Sequence, residues 1–324
     1  MSSVSTVAGP IDTNRLGTAL MHEHIFILTP EIAQNYGAGW WNEDERIEDA
    51  VHKLEQLKQR GVDTLVDLTV LGLGRFIPRI QRVSDRIDIN IIVATGLYIY
   101  SELPSFFQAR GPGTLLGGPD ILADLFIKDI AEGIGETGVR AAVLKGVVEE
   151  QGLTPDQERV QLAICRAHSE TGAPITVHTN STHQTGHLAL SFYKAHGVDI
   201  SKVIVGHAGD SNDLDYLRSL MDQGATIGCD RFGMDMINPT SKRVRTVAEL
   251  CRQGYADRIV LSHDAGCFID NLSDEYSREE LAVASPDWNF GHIHGTVLPA
   301  LLEHGVTEAQ ITAMMVDNPR RYFT

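Results

Sequence analysis

Cysteine is scarce in this chain: four residues, at positions 165, 229, 251 and 267, with no CxxC pair among them. That scatter argues against a disulfide framework or a thiolate zinc site, and it agrees with a reducing, cytoplasmic setting. Positive charge is short as well, since 27 Lys and Arg stand against 43 Asp and Glu, a formal net charge of −16. Nucleic-acid binding needs a basic face that this balance does not offer, so no such partner is expected. Long hydrophobic runs are missing too. The longest uncharged one, Ile89 to Tyr100, is too short to cross a bilayer, and the opening MSSVSTVAGPIDTN has neither the basic start nor the apolar centre of a signal peptide. The expectation is a soluble protein with no membrane partner. No linker or low-complexity tract divides the chain, so residues 1–324 read as one domain.

What is present is an alternation. Short runs rich in Val, Ile and Ala recur at 18–24, 63–69, 89–96, 140–145, 174–179, 202–207, 225–230 and 258–264. Longer segments of helical period separate them. In RIEDAVHKLEQLKQRG, for example, Ile47, Val51, Leu54 and Leu57 share one side and Gly61 offers a stop. Eight β/α units in one chain of this length predict an α/β fold of the (β/α)8 TIM-barrel type. A long loop is expected from about Ala265 to His292. GIGETG (Gly133, Gly135, Gly138) matches a dinucleotide pattern but lies between a helix and a strand, the reverse of the required order, and reads as a turn.

Barrel enzymes place their chemistry at the carboxyl ends of the strands, and here those ends are polar. The first closes in His22-Glu23-His24, the fourth in Lys145, the fifth in His178, the sixth in His207 and the eighth in Asp264. Alternation along a strand sends His22 and His24 the same way, with Leu20 before them as an inward residue, and pairs Val143 with Lys145, Thr176 with His178, Val205 with His207 and Ser262 with Asp264. One histidine after a strand is usually structural, but four imidazoles and a carboxylate converging on one point suit zinc, cobalt, manganese or iron. The other nine histidines, including His292 and His294, read as surface or supporting groups, and His263 has the wrong parity for the site.

Lys145 has a bland reading, an ammonium snorkelling from the barrel mouth, and a Schiff-base reading against which the four histidines speak. Beside two divalent cations its amine is driven neutral. A neutral amine can add CO2 and give a carbamate able to bridge two metals.

Taken together, the HxH pair, the lysine, the two histidines and the aspartate, with GIGETG before the lysine strand and VGHAGD at strand 6, resemble the phosphotriesterase branch of the amidohydrolase superfamily over essentially the whole chain. The resemblance implies that His22, His24 and Asp264 hold the more buried of two divalent metal ions and that His178 and His207 hold the more exposed one, with carboxylated Lys145 and a hydroxide bridging them. It also implies a homodimer. Tyr98 in ATGLYIY and Arg231 in GCDRFG resemble the phosphotriesterase-like lactonases, which implies catalytic roles for Tyr98, Arg231 and Asp264. The implied substrate is a lactone with an apolar acyl chain, most often an N-acyl-homoserine lactone, as in quorum quenching, with phosphotriester hydrolysis as a side reaction. The alternatives are a phosphotriesterase or amide hydrolase on the same metal centre, or a catalytically silent metal-binding or ligand-sensing barrel. Cys267, Trp288 and Phe290 in the last loop are candidates for an apolar wall against the acyl chain.

Overall fold

Ahead of the barrel, β1 (Ser3–Thr6) and β2 (Gly9–Asp12) form an antiparallel hairpin. The eight apolar runs then become β3 (Ala19–Ile27), β4 (Thr64–Asp67), β5 (Asn90–Gly96), β6 (Val143–Val148), β7 (Ile175–Thr179), β8 (Val203–Gly206), β9 (Thr226–Cys229) and β10 (Ile259–Leu261), each parallel to the next. The computed structural model describes residues 2–272 and 275–324. Closure comes from the first strand meeting the last. The Asp264 amide donates to the His22 carbonyl at 3.1 Å and the His22 amide donates to Ser262 Oγ at 2.9 Å. The result is the single-domain α/β barrel expected from the alternation.

Two apolar layers hold it. Met21, Val66, Ile92, Ala94, Val143, Ile204 and Val260 fill the interior, while a larger layer lies between the strands and the surrounding helices. The helix Glu43–Gln59 buries Ile47, Val51, Leu54 and Leu57 in that outer layer, as its spacing predicts. Each such side chain contributes roughly 1.5–3 kcal/mol on burial. GIGETG is a turn, with Gly133, Gly135 and Gly138 all at positive φ.

The strand edges differ from expectation in ways that matter for the site. Lys145 and His24 do not end their strands, since β6 and β3 each continue for three more residues. Leu20 packs in the outer layer, not inward. A bulge between Leu20 and Glu23 resets the alternation, so that Met21 faces in below and His22 and His24 face in above. Val205 also faces outward; His207 reaches the mouth because its backbone turns left-handed (φ 62°) just after β8. Asp264 does the same at φ 54°. The pairings of Val143 with Lys145 and Thr176 with His178 hold as simple alternation.

The segment 265–292 is not a bare loop. It holds β11 (Gly266–Ile269), which adds a ninth strand against the outer half of β3, and a helix at Glu275–Ala284. The apolar run Cys267-Phe268-Ile269 finds a free strand edge there because β3 runs on past the end of β10, its neighbour on that side. Residues 273 and 274 of this segment lie outside the described residues. Among the described residues no helix is long and apolar enough to cross a membrane.

Candidate metal centre at the barrel mouth

All six residues expected to bind metal meet at the barrel mouth. The His22 and His24 rings lie 5.9 Å apart, His22 and His207 4.7 Å, and His178 and His207 4.4 Å. Asp264 Oδ1 stands 3.3 Å from His22 Nε2 and 3.2 Å from His24 Nε2, and Lys145 Nζ stands 2.9 Å from His22 Nε2. Lys145 is buried, and that burial lowers its pKa to about 8, so the neutral amine is within easy reach.

Each imidazole is backed from outside by an acceptor. His22 Nδ1 donates to Asp230 Oδ2 at 2.7 Å and His207 Nδ1 donates to Asp230 Oδ1 at 3.0 Å. His24 Nδ1 meets the Thr69 hydroxyl at 2.8 Å, and His178 Nε2 donates to Glu149 Oε1 at 2.7 Å. Every ring therefore presents a lone pair inward, the arrangement that second-sphere partners impose on metal-binding histidines. Burial lowers the pKa of His22, of His178 (to about 4) and of His207, so none is a cation by preference. The inward nitrogens of His178 and His207 consequently face each other at 2.9 Å as two acceptors. A shared cation relieves that opposition, and the donor set of imidazole, carboxylate and buried amine fits borderline divalent metals. His22, His24 and Asp264 place ligand atoms within 4.8 Å of one another, as do His22, His207 and Asp230. Asp230 lies behind the rings, however, with both oxygens engaged by their Nδ1 groups, which makes it a support.

Room for that support is set by a missing side chain. A Cβ on Gly228 would come within 2.4 Å of Asp230 Oδ2. His207 and Asp264 are two of the three non-glycine residues in left-handed backbone among the described residues. That conformation costs on the order of 1–3 kcal/mol and collects at functional sites.

Arg231 is pinned between carboxylates. Its Nε donates to Asp264 Oδ2 at 2.9 Å and its Nη1 to Asp210 Oδ2 at 3.0 Å. Asp210 is held in turn at 2.6 Å by Arg243, a cation buried in the core and bonded to the carbonyls of Gly209 and Asn238. Burial alone would raise the Asp264 carboxyl, but the surrounding imidazoles and Arg231 hold it well below the ordinary range. The Tyr98 hydroxyl lies 3.3 Å from His178 Nδ1 and 3.1 Å from Tyr100 Oη, and burial pushes it well above the usual phenol range, so it stays a proton donor.

The cavity over the cluster measures about 190 Å³ and has apolar walls at Leu73, Met234, Ile269, Leu272 and Trp288. Of the three residues considered for an acyl wall, only Trp288 lines it. The Cys267 carbonyl accepts from Lys53 away from the mouth, and the Phe290 ring packs 6.3 Å from His263. His263 points outward, as its parity requires, and donates to buried Glu23 at 2.7 Å.

Sequence reasoning missed Glu149, Thr69, Asp230, Asp210 and Arg243. Asp230 closes the seventh apolar run and Glu149 follows the lysine strand, so the strand-end rule that picked out the candidate ligands reaches both. Arg243 carries no such signal.

The family model described as "Phosphotriesterase family" matches residues 2–323. A Mycobacterium tuberculosis protein named "Phosphotriesterase homology protein" is 51% identical over 323 residues, covering 100% of this chain and 98% of its own length. An "Aryldialkylphosphatase" of Saccharolobus solfataricus is 37% identical over 316 residues, with 97% of each chain covered. A solved structure described as the phosphotriesterase from Mycobacterium tuberculosis superposes with a TM-score of 0.96 at 51% identity, covering 99% of this chain and 98% of that one.

Proposed function

The chain belongs to the phosphotriesterase family of metal-dependent hydrolases, and on that premise we propose that it opens lactone rings, N-acyl-homoserine lactones foremost. One observation carries the choice of substrate. A neutral Tyr98 hydroxyl stands over the His178 side of the cluster, beneath apolar walls, while Arg231, the arginine beside Asp264, is already bound by Asp264 and Asp210. Such a mouth favours an uncharged ring with an apolar tail and offers no spare guanidinium to an anion.

His22, His24 and Asp264 would hold one divalent ion, and His178 and His207 a second, with the Lys145 amine converted to a carbamate between them; zinc, cobalt, manganese or iron suits these donors. When bound, the ions supply Lewis acidity and water whose pKa falls from about 15.7 to about 7. Asp264, kept ionised, accepts a proton and returns it to the ring oxygen as the ring opens to a hydroxy acid. Arg231 fixes the orientation of that carboxylate. Tyr98 donates toward the oxygen on which negative charge grows.

A second reading, phosphotriester hydrolysis, is favoured by the 37% identity to the aryldialkylphosphatase. Rates for N-acyl-homoserine lactones of several chain lengths, an aryl dialkyl phosphate and an N-acyl amide, on protein of known metal content, separate the possibilities. Lactones are expected to give the highest kcat/KM. A higher value for the phosphate or the amide would overturn the lactone reading, and no turnover in any arm would point to a silent binding barrel. The homodimer belongs to the same proposal, supported by exposed apolar side chains such as Tyr36, Phe106, Leu115 and Leu116, and sedimentation velocity tests it. A cytoplasmic location is supported by four free, buried thiols.

A further inference from the structure

Outside the metal site, one flank of the barrel departs from the acidic character of the chain. On the helix Glu43–Gln59 and its end, Lys53, Gln56, Leu57 and Arg60 follow i, i+3, i+4, i+7 spacing and so share a face. They form one wall of a cavity of about 380 Å³, within the size range of small-molecule sites. Ala265, Ile269, Trp288 and Phe290 form much of the other wall. The Arg60 guanidinium has no hydrogen bond or ion pair with any described residue. Its guanidinium lies against Gly291, where a Cβ would come within 3.0 Å of Cζ, so the glycine is what lets the cation rest over the cavity. Lys53 lines the same space, paired with Asp49 at 2.7 Å and donating to the Cys267 carbonyl at 2.8 Å, with further donor capacity on its ammonium. A second cavity of about 300 Å³ adjoins the first through Lys53, Ile269 and Trp288 and adds Arg46 and Arg278. The Arg46 Nε is buried without a partner. Arg46 is engaged by the Phe268 ring at 4.5 Å, which leaves the Arg60 guanidinium as uncommitted positive charge over the first cavity.

We propose that this flank is a binding site for a medium-chain carboxylate, its head group between Arg60 and Lys53 and its tail along Leu57, Ile269, Trp288 and Phe290. The mixed lining rules in an amphiphile: two cations at one side and aromatic and aliphatic surface at the other. Free fatty acid and the ring-opened acyl hydroxy acid share that chemistry. The site does not depend on which ester bond the metal centre cleaves. Ile269 and Trp288 line both this cavity and the metal cavity, and the Trp288 indole N–H donates at 2.9 Å to the carbonyl of His263, the residue before Asp264. An occupant therefore bears on one wall of the metal cavity and alters turnover without entering it.

Calorimetric titration of decanoate, and separately of ring-opened N-decanoyl-homoserine, into the metal-loaded protein tests this. The expected result is saturable binding of at least one of them, kept in Arg60→Lys and weakened about tenfold in Arg60→Gln, as for loss of a charge-assisted hydrogen bond. The ligand that binds identifies the source. Arg60 is at the surface, and thermal melting of both variants is expected to match that of the parent. Failure of both ligands to bind, or equal binding in Arg60→Gln, would overturn the proposal, because the latter places the carboxylate on the metals.

Discussion

The two halves of the cluster are built from the same side chain and anchored differently. His22 and His24 stand two residues apart on one bulged strand, so a single backbone sets both. His178 and His207 come from separate strands, and His207 reaches the site only through a left-handed turn. Their supports differ too. His24 rests on a buried threonine hydroxyl, whereas His178 rests on Glu149, a partly exposed carboxylate held down to about 2 by that hydrogen bond. All four rings are buried, but the second half faces the phenols of Tyr98 and Tyr100. The difference teaches that the half set by one strand is suited to retain an ion, and the half beside the phenols to work on substrate. The halves touch through Asp230, which bonds both His22 and His207, and through the His22 and His207 rings themselves, while Lys145 stands against His22.

Removing the proposed lysine bridge should have the largest effect. Lys145→Ala is expected to lose activity by more than the roughly 10²–10³-fold that a single oxyanion donor contributes, with partial recovery on adding acetate or propionate. Full turnover without added acid would show that the halves work unlinked. Tyr98→Phe comes next: about 10²-fold in lactone kcat at unchanged metal content, measured by steady-state kinetics beside elemental analysis. An equal loss of metal would move Tyr98 from chemistry to ligand support. Asp230→Asn touches a ring in each half and is expected to weaken both ions by roughly 10–100-fold in chelator competition. Glu149→Gln sharpens the contrast most with the least effect, about tenfold on one ion alone. If both ions weakened equally there, the division into halves would fail.

Most of the barrel and the convergence of the six candidate ligands was legible because both rest on short-range regularities. Apolar runs of strand length alternate with helical periods, and ligands sit where runs turn polar. The bulge after Leu20 and the left-handed turns at His207 and Asp264 were not legible, since each is set by tertiary packing. Strand alternation reached the right inward direction for His207 from the wrong partner, Val205. The supports were legible only in part. Asp230 and Glu149 follow strand ends, but the Arg243–Asp210–Arg231 chain joins residues 21 to 33 positions apart with no local pattern. The ninth strand escaped because its four residues acquire meaning only from the edge that β3 leaves open.

The paired centre itself is tested most directly by anomalous diffraction from crystals of the metal-loaded protein. The expected map shows two ions, one among His22, His24 and Asp264 and one at His178 and His207, with density for a carboxylated Lys145 between them. A single ion, or a bare ammonium at Lys145 beside two ions, would contradict it.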